Sequence, residues 1–480
     1  MNRRRRGLWA ILGTLALTAC AVGPDFTVPP APTQKGYTAL PVTLSQAGAG
    51  LPEQSLTFGA TASTQWWRQF NSSTLNTTVA LALSDSPTLK QARATLAQAQ
   101  QSLRAAQAAL YPQIDLGAGV SRARMPAVNG SGSSDLFSVG PLVSYSVDGF
   151  GGTRRLIEQQ SALADVQREQ LAAAHLAITG SVVAQAIGIA AARDQTAAVE
   201  AVLAVDQQDI ELVKLSVQSG ISAAGDLVTA QSQLAADEAL LPPLRQQRAA
   251  AENALAMLVG RSAATWNVPR FGFDALTLPA NLPVVIPSAL VRVRPDIRAA
   301  EAQLHAASAA IGVTTAGLYP QISLSASWTQ QAATMGALFD GANGLWAVAA
   351  SLTAPIFHGG ALRAQQQAAI DAFNAQLAAY RQTVLVAFNQ VADVLQALEH
   401  DAQLIAAQRR ALDSASESLR LARDSYAAGA GTFLQVLTAQ RIYQQARLGY
   451  ARAISQRYVD TVHFFAAMGG GSALPPARLD

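Results

Sequence analysis

One pentapeptide, Leu-Tyr-Pro-Gln-Ile, occurs twice in this chain of 480 residues, at Leu110–Ile114 and again at Leu318–Ile322. The agreement continues on both sides of it, at an offset of 208 (318 − 110) or, later in the chain, of 209 (425 − 216). The further aligned pairs are Pro87 and Pro295, Lys90 and Arg298, Ala92 and Ala300, Leu96 and Leu304, Ser216 and Ser425, Gly220 and Gly429, and Thr229–Gln231 and Thr438–Gln440. A repeat of this length predicts two tandem structural units related by pseudo-symmetry.

The N-terminus has the pattern of an export signal. Arg3–Arg6 form a positive region, and Leu8–Leu17 form an apolar region that is too short to span a bilayer. Small residues then lead to Cys20, the only cysteine of the chain. An ordinary signal peptide with an incidental cysteine would look similar. We expect instead a signal peptide over 1–19 and a lipid on Cys20, as S-diacylglycerol and N-palmitoyl groups, with no other cofactor.

Composition excludes several classes of protein. Without the four signal arginines the formal charge changes from +3 to −1 (3 − 4), so nucleic-acid binding is not expected. Apolar residues make up 50% of the chain and charged residues 14%, yet no stretch after Cys20 has 18 consecutive apolar residues. If the mature chain crosses a membrane, it is therefore expected to do so with β-strands.

After each pentapeptide, apolar residues alternate with small or polar ones, which is the period of a strand with two unlike faces. A loop rich in glycine and serine (128–134) and one near 340–344 each precede another alternating stretch. We expect hairpins over about 112–148 and about 320–355, with strands of about ten residues, the length of membrane-barrel strands. A soluble hairpin resting on a core would alternate in the same way.

Two long segments without helix breakers follow the hairpins. Residues 142–241 and 356–474 contain no proline, and 361–428 contain no glycine either. Apolar residues recur at steps of three and four from Ile370 to Tyr426, which predicts a coiled-coil helix of about 100 Å. The matching long segment of the first copy is 153–219, in which Gly180 and Gly188 weaken the helical pattern. Each long helix is expected to end at a glycine turn and to be followed by a returning helix, over about 225–259 and 433–468.

Four membrane strands cannot close a barrel, since the smallest closed barrels have about eight, and open sheet edges are not viable in lipid. Several copies of the chain must then share one barrel. The long helices that follow the strands would extend it as a tube. This geometry predicts the wall of a conduit.

A set of motifs in a fixed order resembles TolC-like outer membrane factors, most closely the NodT-type lipoproteins of resistance-nodulation-division (RND) efflux systems, over nearly all of the mature chain. The motifs are Cys20 with Gly23-Pro24, Trp66-Trp67 with Phe70, Arg294–Glu301, both Tyr-Pro-Gln strand starts, Pro355-Ile356-Phe357 with Gly359-Gly360, and Gly429 with Thr438–Gln440. The resemblance implies a mainly α fold with membrane β-strands, in which a homotrimer forms a 12-stranded outer-membrane barrel continuous with a periplasmic helical barrel.

The same resemblance implies the partners and the functional residues. It implies an outer-membrane exit duct for drugs or other small molecules, a periplasmic adaptor (membrane fusion protein), an inner-membrane RND pump and contact with outer-membrane lipid. The implied adaptor-docking tips are Gly220, Ser222, Gly429, Gly431 and Thr432, and the implied periplasmic aperture is formed by Arg423, Asp424, Gln435 and Thr438. Relatives often carry acidic residues at the places held here by Gln435 and Thr438. Arg423 and Asp424 could hold a closed state or be solvated helix-end charges.

The expected organisation follows from these elements. It comprises the signal (1–19), a lipidated extended tether (20–60), the first repeat (61–260, tip near 220), a linker (261–290), the second repeat (291–470, tip near 429) and a tail (471–480).

Rival functions stay open at this stage. The five histidines have no metal-ligand spacing, and no nucleophile elbow or P-loop is present, so we do not expect an enzyme such as a lipoprotein hydrolase. A soluble coiled-coil adaptor would explain the helices but not the two hairpins. A duct for type I protein secretion or for metal-cation efflux would have the same architecture.

Overall fold

The computed structural model describes residues 21–39, 42, 44, 52–127, 130–220 and 222–471, without the side chains of 125–132. The predicted signal peptide, Cys20, part of the tether and residues 472–480 of the tail therefore lie outside the described residues. The chain divides into two compact units. The first contains 1–29, 95–168 and 299–381, and the second contains 30–94, 169–298 and 382–480.

Helices dominate the described part of the chain. They are α1 (Ser73–Asp85), α2 (Pro87–Ala108), α3 (Gly152–Gln218), α4 (Ala224–Glu238), α5 (Leu241–Leu258), α6 (Pro287–Val293), α7 (Pro295–Ala316), α8 (Ala361–Ala427) and α9 (Phe433–Ala467). The strands are β1 (Ser55–Phe58), β2 (Gln113–Ala127), β3 (Gly130–Val147), β4 (Asn281–Val284), β5 (Gln321–Ala332) and β6 (Gly344–Thr353), with short 3₁₀ turns at 66–70, 273–275, 335–337 and 341–343.

The two repeats predicted from the pentapeptide are present. Helices α2 and α7 have 22 residues each, a hairpin follows each of them, and α3 and α8 have 67 residues each. At 1.5 Å per residue each long helix is about 100 Å long. The long segment predicted over 153–219 is one continuous helix despite Gly180 and Gly188, because a helix of this length is held by packing rather than by the propensity of single residues.

The predicted returning helix of the first repeat is wrong in one respect. The segment expected as one helix over 225–259 is divided into α4 and α5, whereas α9 is continuous. Pro242 and Pro243 stand at the start of α5 and cannot donate the backbone hydrogen bonds of a helix interior. The aligned positions of the second repeat are Ala451 and Arg452, which allow α9 to continue.

The first unit contains an antiparallel sheet in the order β2-β3-β5-β6. Both hairpins lie where the alternation predicted them, but β2 and β3 have 15 and 18 residues rather than about ten. The predicted loop over 128–134 is also wrong, because 130–134 pair with 123–127. Glycine and serine supply the same backbone donors and acceptors as other residues, so a ladder can extend through them.

The second unit has an aromatic core around the Trp66–Phe70 turn. The Trp66 ring stacks on Phe465 with centroids 5.1 Å apart, and both residues are fully buried. Buried Arg457 donates to the Gln54 side chain at 2.5 Å and to the backbone carbonyl of Leu398. Strand β1 pairs in parallel with β4, so the end of the predicted tether and the predicted linker contribute to a two-stranded sheet.

One described helix, α3, is long and apolar enough to pass for a membrane span by length and composition alone. Half of its most apolar stretch is buried against other residues of the chain, as in a core helix. Val182, Val183, Ile187 and Ile189 of this helix are fully buried, together with several of the alanines between them.

Candidate functional site

The four-stranded sheet has one apolar face, which its register brings together from all four strands. Ile114 lies opposite Val143, Val147 opposite Ile322, and Ile322 opposite Leu352. Because side chains alternate between faces, the apolar residues at every second position share this face. Ile114, Leu116, Trp346 and Val348 are each more than 70% exposed. A contiguous exposed apolar surface of this kind is suited to lipid rather than water.

The opposite face of the sheet carries small and polar residues, such as Asp115, Gly119, Ser144 and Ser325. The pairing of β3 with β5 is interrupted at Gly140 and Pro141 and resumes at Leu142 in the same register. Pro141 has no N–H to donate. The two faces therefore stay distinct along the whole sheet, as the alternation predicted. This arrangement matches a barrel wall between lipid outside and water inside.

Strands β2 and β6 are the edges of the sheet, and each pairs with one neighbour in this chain. The outer backbone groups of both edges require partners if the sheet lies in lipid. Four strands with two such edges can serve only as a segment of a larger barrel.

The two tips have the same backbone geometry, as the repeat predicted. Gly220 and Gly429 follow the long helices with φ of +75° and +72°, the left-handed conformation expected for each glycine. The N–H of Ser222 donates to the carbonyl of Ser216 at 3.2 Å, and the N–H of Gly431 donates to that of Ser425 at 3.1 Å. These bonds satisfy carbonyls at the helix ends and fix both turns.

A capping box begins the returning helix at the second tip. The Thr432 hydroxyl accepts from the Gln435 N–H at 3.4 Å, and the Gln435 side chain accepts from the Thr432 N–H at 2.9 Å. At the first tip, Asp226 accepts from the Ala223 N–H at 3.2 Å. The predicted docking residues thus form two short, well-defined turns, in which Gly220, Gly429 and Thr432 are exposed and Ser222 and Gly431 are half-buried.

The two tips pack together inside the second unit. Val213 and Ala230 of the first tip share a buried apolar cluster with Phe433 and Leu437 of the second. Partly buried Tyr426 joins this cluster and a second one around Leu419. Packing between the helices of the two tips therefore holds the two turns next to each other.

The structure places the four predicted aperture residues in different environments. Asp424 pairs with Arg420 on the same helix at 2.7 Å, and the Thr438 hydroxyl donates to the Leu434 carbonyl one turn earlier at 2.8 Å. Gln435 is used in the capping box. Arg423 instead reaches other helices: it donates to Gln440 of α9 at 3.3 Å and lies 3.9 Å from Asp209 of α3. Arg423 is thus more than a solvated helix-end charge.

Arg423 is one member of a polar network that joins four helices. Gln440 of α9 donates to Asp206 of α3, which contacts Asp237 of α4. Burial, and then the neighbouring carboxyl groups of Asp237 and Asp209, raise the pKa of Asp206 to about 7. Burial also raises the pKa of Asp209, and the charge of Arg423 partly opposes that effect. Near neutral pH the network can therefore hold or lose a proton.

Sequence reasoning missed the three aspartates of this network. It sought acidic residues on the helix after the second tip, whereas these carboxyl groups lie on the helices around the first. Asp206, Asp209 and Asp237 were visible as acidic residues near the tip of a chain with few charges. No sequence pattern showed that they face one another.

Among the described residues, no group of three or more His, Cys, Asp or Glu side chains could hold a metal ion. Residues 149–151 lie in the turn from β3 to α3.

The chain matches the family described as outer membrane efflux protein over residues 78–261 and again over 285–470, which coincide with the two repeats. It is 30% identical to the outer membrane protein OprJ of Pseudomonas aeruginosa, over 98% of this chain and 97% of that protein. It is also 30% identical to Nodulation protein T of Rhizobium leguminosarum, over 96% and 92% of the two chains. The solved outer-membrane channel OprN has the same fold, with a TM-score of 0.84 and 27% identity over 94% of this chain and 99% of that one.

Proposed function

Because the chain belongs to the outer membrane efflux protein family, we propose that three copies of it form the exit duct of a tripartite efflux system, with a periplasmic adaptor and an inner-membrane RND pump. As a member of this family the chain is an outer-membrane efflux channel protein and not an enzyme. The number of copies, the partners and the cargo are the parts that we propose.

The observation that carries the trimer is the four-stranded sheet with an apolar face and two open edges. Lipid tolerates no unpaired edge, so β2 of one copy must pair with β6 of another. Three copies give twelve strands, an even number within the range of single barrels in outer membranes. Each copy would then supply a third of the wall.

The adaptor is proposed to bind the tips. Gly220, Ser222, Gly429, Gly431 and Thr432 form exposed or half-buried turns with small side chains, which allow the backbone of a partner to approach closely. The lipid on Cys20 is proposed as a second membrane anchor beside the strands. Drugs or other small molecules are the proposed cargo, with proteins of a type I system or metal cations as the alternatives.

The decisive experiment is to reconstitute the purified protein in planar bilayers and to measure conductance. We expect discrete channel openings from trimers, and loss of drug resistance in cells when the gene is deleted. If deletion changes the export of a protein or the resistance to metal ions instead, the cargo assignment is wrong. If bilayers that contain the reconstituted trimer show no conductance, the proposed duct is contradicted.

A further inference from the structure

The start of the mature chain is bound to the first unit rather than hanging free. The N–H of Val22 donates to the carbonyl of Phe150 at 3.0 Å, in the turn between β3 and α3. Further along, the ring of Phe26 stacks on that of His305 with centroids 4.5 Å apart. His305 in turn contacts Glu158 of α3 at 2.9 Å. Two separate contacts therefore hold the first residues after Cys20.

Between these contacts lies Arg155, whose side chain is only 6% exposed. Its guanidinium donates to the carbonyls of Val22 at 3.1 Å and Gly23 at 3.3 Å. The same group donates to the carboxylates of Asp25 and Glu158, both at 2.7 Å. A buried guanidinium that uses its donors on consecutive residues of one segment fixes the path of that segment. We call residues 21–26 with Arg155 the N-terminal clasp.

Glycines make room for the clasp. Gly23 has φ of +97°, and a Cβ on it would lie 2.4 Å from the Cα of Gly312. A Cβ on Gly312 would lie 2.6 Å from the Cγ of Arg155, and one on Gly151 would lie 2.4 Å from the Cα of Ala21. Residues 21–23 and Arg155 thus pack directly against their neighbours at Gly23, Gly151 and Gly312, and a residue with a side chain does not fit at any of these three positions.

The clasp lies at one end of the sheet, where β2 and β5 begin and β3 and β6 finish. An aromatic residue lies within four positions of each of these four strand termini. These residues are Tyr111, Phe150, Tyr319 and Phe357. Phe150, whose carbonyl binds Val22, stacks on Tyr319 with centroids 4.8 Å apart. Aromatic residues in such a row mark the boundary between membrane and water in strand barrels.

A second aromatic row lies further along the apolar face. Trp328 of β5 and Trp346 of β6 are directly opposite each other and both are exposed. From Gln321, where β5 begins, to Trp328 is seven residues, about 23 Å of extended chain and about 18 Å along a barrel axis at a strand tilt of about 40°. The side chains between them on this face are apolar.

We propose that the N-terminal clasp fixes the lipid attachment point at the end of the sheet that carries the first aromatic row. The acyl chains of Cys20 and the strands then enter the same membrane leaflet as one body. Arg155 is the positioning residue of this arrangement. The inference rests on the lipidation and barrel of the proposed function. Its consequence is that the lipid speeds insertion of the strands only while the clasp is intact.

The test is a double-mutant cycle on the rate at which heat-resistant trimers form in outer membranes. One axis removes the lipid, by exporting a chain that begins at Ala21 behind an ordinary signal peptide. The other axis is Gly23→Val, which displaces the segment without altering a residue of the sheet or of α3. Arg155→Ala repeats the cycle from the other side of the clasp, and Arg168→Ala, on the same helix and paired with Asp165, is the matched control.

We expect Gly23→Val to slow the lipidated chain by the same factor as removal of the lipid, and to leave the lipid-free chain unchanged. Arg168→Ala should leave both forms unchanged. Equal slowing of the lipidated and lipid-free chains by Gly23→Val would overturn the proposal, because the clasp would then serve the fold alone. So would a lipid-free chain that assembles as fast as the lipidated one. Absence of any trimer from the unaltered chain would contradict the proposed function instead.

Discussion

Single glycines define the two tips, which face away from the membrane in the proposed duct. Gly220 and Gly429 have positive φ, and a Cβ built on either would meet no atom within 4 Å. The space around them is open, so their requirement is conformational rather than steric. A left-handed conformation costs a residue with a side chain about 1–2 kcal/mol, and β-branched residues resist it most.

We expect Gly429→Val to distort the second tip while the trimer still forms, because few buried contacts lie at the turn itself. Cross-linking of the adaptor and drug resistance should both fall. The comparison to make is trimer yield, adaptor cross-linking and drug susceptibility in the variant and in Gly336→Val, a glycine with ordinary φ and open space around it. If Gly429→Val also loses the trimer, the glycine serves the fold alone, and if nothing changes the tip is misassigned.

Cys20 is a second residue whose role can be tested alone. We expect Cys20→Ser to abolish incorporation of labelled palmitate, because the chain has no other thiol. The body should still fold, since the strands and not the lipid form the membrane wall. A wild-type protein that incorporates no palmitate would contradict the lipoprotein assignment.

At the scale of elements, the polar network near the tips connects α3, α4, α8 and α9 through Asp206, Asp237, Arg423 and Gln440. The pKa of Asp206 is raised from about 3.9 in an unfolded chain to about 7 in the fold. Between these values the folded state holds a proton that the unfolded state has released. Its contribution to stability is therefore complete below about pH 4 and is lost as the pH rises through about 7.

We expect amides near Asp206 and Asp237 to exchange with deuterium faster at pH 8 than at pH 5.5, after correction for the intrinsic rates. Asp206→Asn should reduce that difference, since an amide has no proton to lose in this range. Asp424→Asn, at a side chain that is 63% exposed, is the matched control and should keep the difference. Equal exchange at both pH values in the unaltered protein would show that the network does not respond to protons.

The comparison of elements between the repeats shows where local sequence overrides symmetry. Helices α4 and α5 are separate and α9 is not, although both returns occupy aligned positions. Pro242 and Pro243 account for the difference without any tertiary contact. In the hairpin, by contrast, pairing overrides local sequence. The ladder of β2 and β3 extends through glycine and serine residues whose propensity favours a loop.

At the scale of the whole molecule, the chain supplies a wall segment that needs copies of itself. Both sheet edges and the apolar face are open in a single chain. We expect mass measurement in mild detergent to give a trimer that resists dissociation. A folded and stable monomer under these conditions would contradict the shared barrel. Leu324→Arg, which places a charge in the middle of the apolar face, should lower the yield of membrane-inserted trimer by destabilising the strand in lipid by about 2–4 kcal/mol.

The sequence by itself determined the repeated architecture, the two faces of the sheet, the long helices and the glycine conformations at the tips. These features depend on the periodicity of apolar residues and on single residue types, whose effects extend over a few neighbouring positions. Only the tertiary structure decided that β1 pairs with β4, that Arg155 holds residues 22–25, and that Asp206, Asp237 and Arg423 belong to one network. Their partners are distant in sequence, and which of them meet depends on how each helix is rotated and placed. Periodicity fixes the face of a helix, but the fold decides what that face meets.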